Sequence, residues 1–205
     1  MTNSHFQFAV HSSDSSRPAL LFLFHGTGGD ENQFFTLGRQ FLPDATLISP
    51  RGDVSEHGAL RFFKRTGEGQ YDMADLAQRT TAMVEFIKEQ IDLVQPSVVL
   101  GLGYSNGANI LANVMLEEAD LFHGAVLMHP LIPWQPKPQS LLKQKRVLLT
   151  AGRRDTICPP SLTQQLADYF NSQAAETTLF WHEGGHEIQQ AELSVIQSFL
   201  DIYKQ

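Results

Sequence analysis

Val98-Val99-Leu100-Gly101-Leu102-Gly103-Tyr104-Ser105-Asn106-Gly107-Ala108 runs from a β-branched apolar segment through a glycine-flanked serine into a helical stretch that continues to Leu116. The five letters G-x-S-x-G would fit a serine helix cap with glycines for close packing. The strand pattern before them and the helix pattern after them point instead to a sharp strand–turn–helix. A serine at such a turn is held in strained backbone geometry, so its neighbours must be small, as Gly103, Gly107 and Ala108 are. The turn lifts the hydroxyl clear of the sheet and aims the first helical N–H groups at the same spot. Gly101, Gly103 and Gly107 also imitate a dinucleotide loop, but their spacing is one residue too long. No lysine follows as a phosphate-binding loop requires.

Outward from this segment, short apolar runs alternate with longer amphipathic stretches. Strands are predicted at Phe6–Val10, Ala19–Phe24, Thr46–Ser49, Ser97–Leu102, Gly124–Met128, Arg146–Thr150 and Thr177–Trp181. Most are nearly continuous in apolar residues, as strands covered on both faces by helices are. Leu76, Thr80, Met83, Val84, Ile87, Ile91 and Val94 share one helical face; Asp72 or Asp75 could cap that helix, and Pro96 stops it. Further helices follow Ser105, run from about Ser161 to Asn171, and close the chain with Ile188, Ala191, Val195, Phe199 and Ile202. This alternation predicts βαβ units and a mostly parallel sheet in a single domain spanning 1–205. Pro130, Pro133, Pro136 and Pro138 exclude helix and central strand, and read either as a rigid connection or as the wall of a binding site.

Composition narrows the function. The 205 residues carry 15 Lys+Arg against 22 Asp+Glu, a net charge of −7, which disfavours nucleic acid or an anionic membrane surface as partner. At 42% hydrophobic and 18% charged, the chain can build a core. No apolar run is long enough to span a bilayer, Met1 to Asp14 carries no secretory pattern, and the lone Cys158 forms no internal disulfide. A cytoplasmic location is the expectation.

A serine hydroxyl needs a base, and the base needs an orienting acid. Behind the strand Arg146–Thr150 comes Ala151-Gly152-Arg153-Arg154-Asp155; behind Thr177–Trp181 comes Gly184-Gly185-His186. Ser105, Asp155 and His186 thus fall in the chain order Ser, Asp, His, each at the carboxyl end of a strand. Directly after Ala19–Phe24, His25-Gly26-Thr27-Gly28-Gly29-Asp30 supplies glycines that let backbone N–H groups approach a ligand. The backbone N–H groups of Thr27 and Asn106 are assigned to a developing oxyanion.

With these residues in place the sequence resembles an α/β-hydrolase, and more narrowly the phospholipase/carboxylesterase group, which includes acyl-protein thioesterases and small bacterial carboxylesterases. The matching segments are HGTGGDE at 25–31, PRG at 50–52, GYSNGA at 103–108, GRRD at 152–155 and GGH at 184–186. The stretch from Glu56 to Asp75 is closer to the bacterial esterases. The resemblance implies a three-layer α/β fold, a mostly parallel sheet with helices on both faces, no large cap domain and no cofactor. It implies a serine hydrolase for small-molecule carboxylic esters of short to medium acyl chain. Thioesterase or lysophospholipase activity on the same residues, or a non-catalytic ligand sensor on the same fold, are the alternatives. A homodimer is left open.

His182-Glu183-Gly184-Gly185-His186 spells the zinc-peptidase motif H-E-x-x-H, which requires a helix. Two central glycines, each costing a helix about 1 kcal/mol, and a strand pattern just before them argue against it, so no metal ligand is assigned. His182 is expected to be a strand-end neighbour of little consequence. Phe62 and Phe63 are candidates for an acyl pocket, although aromatic pairs are more often core. His129 is read as a packed histidine or a wall of the site.

Overall fold

The computed structural model describes residues 6–67 and 69–204; Met1–His5, the start of the polar N-terminal stretch, lie outside them. Strands β1 (Phe8–His11), β2 (Ala19–Phe24) and β3 (Thr46–Pro50) open the chain, with helix α1 (Phe35–Phe41) between the last two. Four short strands follow as two hairpins, β4 (Val54–Glu56) with β5 (Ala59–Arg61), and β6 (Arg65–Gly67) with β7 (Gln70–Tyr71). Then come α2 (Met73–Val94), β8 (Val98–Tyr104), α3 (Asn106–Glu117), β9 (Gly124–Met128), β10 (Arg146–Gly152), α4 (Pro160–Ser172), β11 (Glu176–His182) and α5 (Gln190–Asp201).

One seven-stranded sheet has the order β1-β3-β2-β8-β9-β10-β11. Only β1 runs antiparallel, against β3; the other pairings are parallel. The all-apolar strands predicted this, because burial on both faces removes the polar alternation of a one-sided sheet. In β2, Leu20, Phe22 and Phe24 join a core with Met83, Phe86 and Ile87 of α2, Ile110 and Leu111 of α3, and Leu166 and Phe170 of α4. Leu21 and Leu23 enter the opposite core with Phe41 of α1 and Ile196 and Leu200 of α5. The result is the three-layer α/β-hydrolase arrangement.

The first strand departs from expectation. It begins at Phe8 rather than Phe6 and alternates between exposed and half-buried residues, as befits an antiparallel edge. Asp72, rather than Asp75, caps α2: its carboxylate accepts from the Asp75 N–H at 3.0 Å, and the helix ends at a left-handed Gln95 before Pro96. The two hairpins and α1 were not predicted as elements. Among the described residues, no helix is long and apolar enough to cross a membrane.

Candidate active site

Parallel strands bring their carboxyl ends to one edge, and that edge carries the chemistry. Ser105 follows β8, the central strand, at φ 51° and ψ −118°, a conformation rare for a residue with a side chain. Its N–H donates to the Met128 carbonyl at 2.9 Å, and α3 begins at the next residue. The turn is tight enough that a Cβ on Gly107 would overlap the carbonyl oxygens of Phe24 and His25. Glycine is therefore required there by backbone approach, as the motif reading proposed.

The three residues singled out from the sequence meet. Ser105 Oγ lies 2.8 Å from His186 Nε2, and His186 Nδ1 lies 2.7 Å from Asp155 Oδ2. The loops behind β10 and β11 interlock: the Arg153 N–H donates to the His182 carbonyl at 2.8 Å and the Arg154 N–H to the Gly184 carbonyl at 2.9 Å. Gly152 packs so closely on Gly184 and Gly185 that a Cβ would overlap their carbonyls, so this glycine sets the approach of Asp155 to His186. Tyr104 braces the histidine from below, its hydroxyl donating to the His186 carbonyl at 2.8 Å.

Asp155 has more partners than the sequence disclosed. Its Oδ1 accepts from the N–H groups of Ile157 (2.9 Å) and Cys158 (2.8 Å). Its Oδ2 is also 2.9 Å from Nδ1 of His129, whose Nε2 lies 3.1 Å from Glu192 Oε1. Both ring nitrogens of His129 face carboxylates, so both contacts are hydrogen bonds only when the ring is an imidazolium. Burial opposes that charge, yet the bonds to Asp155 and Glu192 outweigh it and raise His129 to about 9. Burial likewise opposes ionisation of Asp155 and Glu192; the histidine contacts prevail and hold both carboxyls below their ordinary range. His129 itself sits at φ 50°, a second strained position one strand away from Ser105.

These positions correct three substrate-contact expectations. His129 is fully buried and belongs to the network behind the relay, not to a substrate wall. Phe62 and Phe63 are 1% and 0% exposed and pack in the core, Phe62 on the His25 ring at 4.6 Å, so neither lines an acyl pocket. The apolar area of each is worth more buried against α2 and β2 than facing water. His182 does stand at the end of its strand. It is buried, its Nδ1 accepts from the Gly184 N–H at 3.0 Å, and its Nε2 lies 3.2 Å from Glu192 Oε2. His182 closes β11 and residues 183–187 form a loop, so the helix that H-E-x-x-H zinc binding requires is not formed there. Glu192 escaped the sequence reading. Its position three residues after Gln189 was legible as a capping box, which it completes by accepting from the Gln189 N–H at 2.7 Å, but not its second task.

The glycine loop behind β2 is pinned by His25. The His25 Nδ1–H donates to the Gly26 carbonyl at 2.7 Å while Nε2 accepts from the Gly52 N–H at 2.8 Å, and burial pushes the ring toward its neutral form. HG at 25–26 and PRG at 50–52 are thus two halves of one contact. Thr27 and Asn106 lie on the wall of a cavity of about 300 Å³, together with Ser105 and His186. The Asn106 N–H is in the first turn of α3, where a helix leaves its N–H groups without intrahelical acceptors. The Asn106 side chain anchors the neighbouring hairpins by accepting from the Phe62 N–H at 2.7 Å. Leu131, in the proline-rich segment, lines the cavity, so that loop is part of the wall. Cys158 lines it as well; burial pushes its thiol up, and Sγ donates to the His129 carbonyl at 3.2 Å.

A strained serine joined through one histidine to a buried aspartate, all on the carboxyl edge of the mostly parallel sheet of a three-layer fold, defines an α/β-hydrolase. The chain belongs to the phospholipase/carboxylesterase family, whose sequence profile matches residues 5–204. It is 38% identical to MhqD of Bacillus subtilis (strain 168) over 175 residues, 84% of this chain and 88% of that protein. The structure of Atu2452, a protein of unknown function from Agrobacterium tumefaciens str. C58, superposes with a TM-score of 0.93 at 50% identity, covering 99% of each chain. The carboxylesterase of Bacillus cereus superposes with a TM-score of 0.89 at 33% identity over 98% of this chain and 96% of its own. A hydrolase is the class these likenesses establish.

Proposed function

We propose that this protein is a serine carboxylesterase that acts through an acyl-enzyme and uses one domain for the whole reaction. Ser105 Oγ attacks the ester carbonyl while His186 Nε2 takes its proton and returns it to the leaving alcohol. Asp155 orients His186 and stabilises its charged form. The N–H groups of Thr27 and Asn106 receive the oxyanion, where a single well-aimed donor is worth roughly 3–4 kcal/mol. Water then attacks the acyl-enzyme by the same route in reverse and releases the acid. The observation that carries this reading is the Ser105–His186–Asp155 relay at 2.8 and 2.7 Å, with the serine at φ 51°. A cavity of about 300 Å³ is at the lower end of ligand-site volumes, which favours short to medium acyl chains.

A fluorophosphonate probe tests the assignment. It is expected to label Ser105 alone, and Ser105→Ala is expected to lose both the label and ester hydrolysis while keeping its circular dichroism. Label on another serine, or an active alanine variant, would refute the mechanism. Thioesters could pass through the same machinery, and kcat/KM on matched ester and thioester substrates separates the two activities.

A further inference from the structure

Two arginines on the cavity wall have no part in the serine relay. Arg61 ends β5, Arg65 begins β6, and both line the cavity that holds Ser105 and His186. The Arg61 side chain is only 5% exposed. A guanidinium so buried is costly unless it is paired and hydrogen-bonded. Its Nε donates to the Phe63 carbonyl at 3.3 Å and its Nη1 to Thr27 Oγ1 at 3.0 Å, both neutral acceptors. The anion near it is Glu56, with Oε2 3.3 Å from Nη1. That carboxylate is already held by Arg65, whose Nε lies 2.9 and 3.0 Å from its two oxygens. Among the described residues, two guanidiniums therefore share one carboxylate, leaving one positive charge in excess.

The described lining of the cavity does not cancel it. Among the described residues, no carboxylate lines the cavity, although the chain as a whole carries −7. Burial, followed by the charge of Arg65, holds Arg61 below its ordinary range, which marks a site where one more anion would be stabilised. The location is specific. Arg61 bonds the side chain of Thr27, the residue whose backbone N–H is assigned to the oxyanion, so the charge lies beside the carbonyl to be attacked. Tyr71 and Asn109 on the same wall already hold each other, Asn109 Nδ2 donating to the Tyr71 hydroxyl at 2.8 Å.

We propose that Arg61 and Arg65 form a subsite for a carboxylate on the substrate, so that the preferred esters are anionic, such as half-esters of short dicarboxylic acids. The proposal rests on the serine-esterase reading and names its substrate class. A guanidinium meets a carboxylate with two parallel N–H bonds, and such charge-assisted bonds are about twice as strong as neutral ones. The cavity volume leaves room for only a few carbons between the two functional groups. A structural latch between the hairpin and the Thr27 loop would explain Arg61 alone; it would not require the second, more exposed arginine on the same wall.

The test compares monomethyl succinate with methyl 4-methylpentanoate, whose isopropyl group has the shape of the carboxylate without its charge. Hydrolysis is followed by pH-stat titration of the full chain, with fluorophosphonate labelling of Ser105 in parallel. The ratio of kcat/KM, acidic over neutral ester, is expected to be about 10 or more, and to fall with added salt. In Arg65→Gln the ratio is expected to drop about tenfold, with Arg65→Lys in between because lysine keeps the charge but loses the fork. A native ratio near or below one, with Ser105 labelled and the neutral ester cleaved, overturns the subsite and leaves the esterase reading standing. A ratio unmoved by Arg65→Gln overturns it equally. Failure to cleave either ester, with no label on Ser105, overturns both readings together.

Discussion

Glu192→Gln isolates the charge behind the relay. Glutamine serves the N3 position of a capping box as well as glutamate does, so the start of α5 is preserved and the negative charge facing His129 and His182 is the main change. His129 rises from its reference near 6.5 to about 9. At 1.36 kcal/mol per unit that is roughly 3 kcal/mol of native-state stabilisation of the imidazolium. Asp155 at 2.9 Å and Glu192 at 3.1 Å share it, so removing one charge is expected to cost about 1–2 kcal/mol near neutral pH. The sign of the pH dependence follows from a raised histidine. The stabilisation is complete below the unfolded value near 6.5, and is lost as pH rises through about 9. Urea unfolding of both proteins at pH 6.5, 8 and 10 reads this directly. The deficit of the variant is expected to be largest at pH 6.5 and to shrink, or reverse, by pH 10, where a neutral His129 leaves the native chain with two buried carboxylates. A variant of native stability at pH 6.5, or a deficit independent of pH, would show that His129 is not charged in the folded protein.

Other outcomes follow from the same geometry. Asp155→Asn is expected to lower kcat by roughly 10⁴, since it fixes the wrong tautomer on His186, and stopped-time assays on a 4-nitrophenyl ester would measure it. His182→Ala is expected to destabilise the protein by about 1–3 kcal/mol in thermal melts, because Glu192 Oε2 and the Gly184 N–H both lose a buried partner. Gly107→Ala should cost roughly 1–3 kcal/mol and most of the activity, since the added methyl must displace the carbonyls of Phe24 and His25 beneath the serine turn. Across a graded series of 4-nitrophenyl esters, kcat/KM is expected to peak at short to medium acyl length, and a peak at long chains would show that the cavity extends beyond its present wall.

What the sequence by itself determined are the features set by local pattern. Continuous apolar runs such as Ala19–Phe24 and Gly124–Met128 specify strands covered on both faces, and hence a parallel sheet with helical layers. Small residues around Ser105 specify a strained turn, and parallel topology then obliges the segments after β10 and β11 to deliver Asp155 and His186 to the same edge. The hairpins from 54 to 71 were hard to see because strands of two or three residues carry no usable periodicity. The turn at His57-Gly58, with φ 51° and 89°, was a local mark of the first, and Gly69, with φ 65°, of the second. Only the tertiary structure decided that Phe62 and Phe63 face the core, that Arg61 and Arg65 face the cavity, and that His129, His182 and Glu192 gather behind Asp155. Those residues lie on four separate stretches of chain. Their burial and pairing depend on long-range proximity, which leaves no trace in the spacing of residues along the sequence.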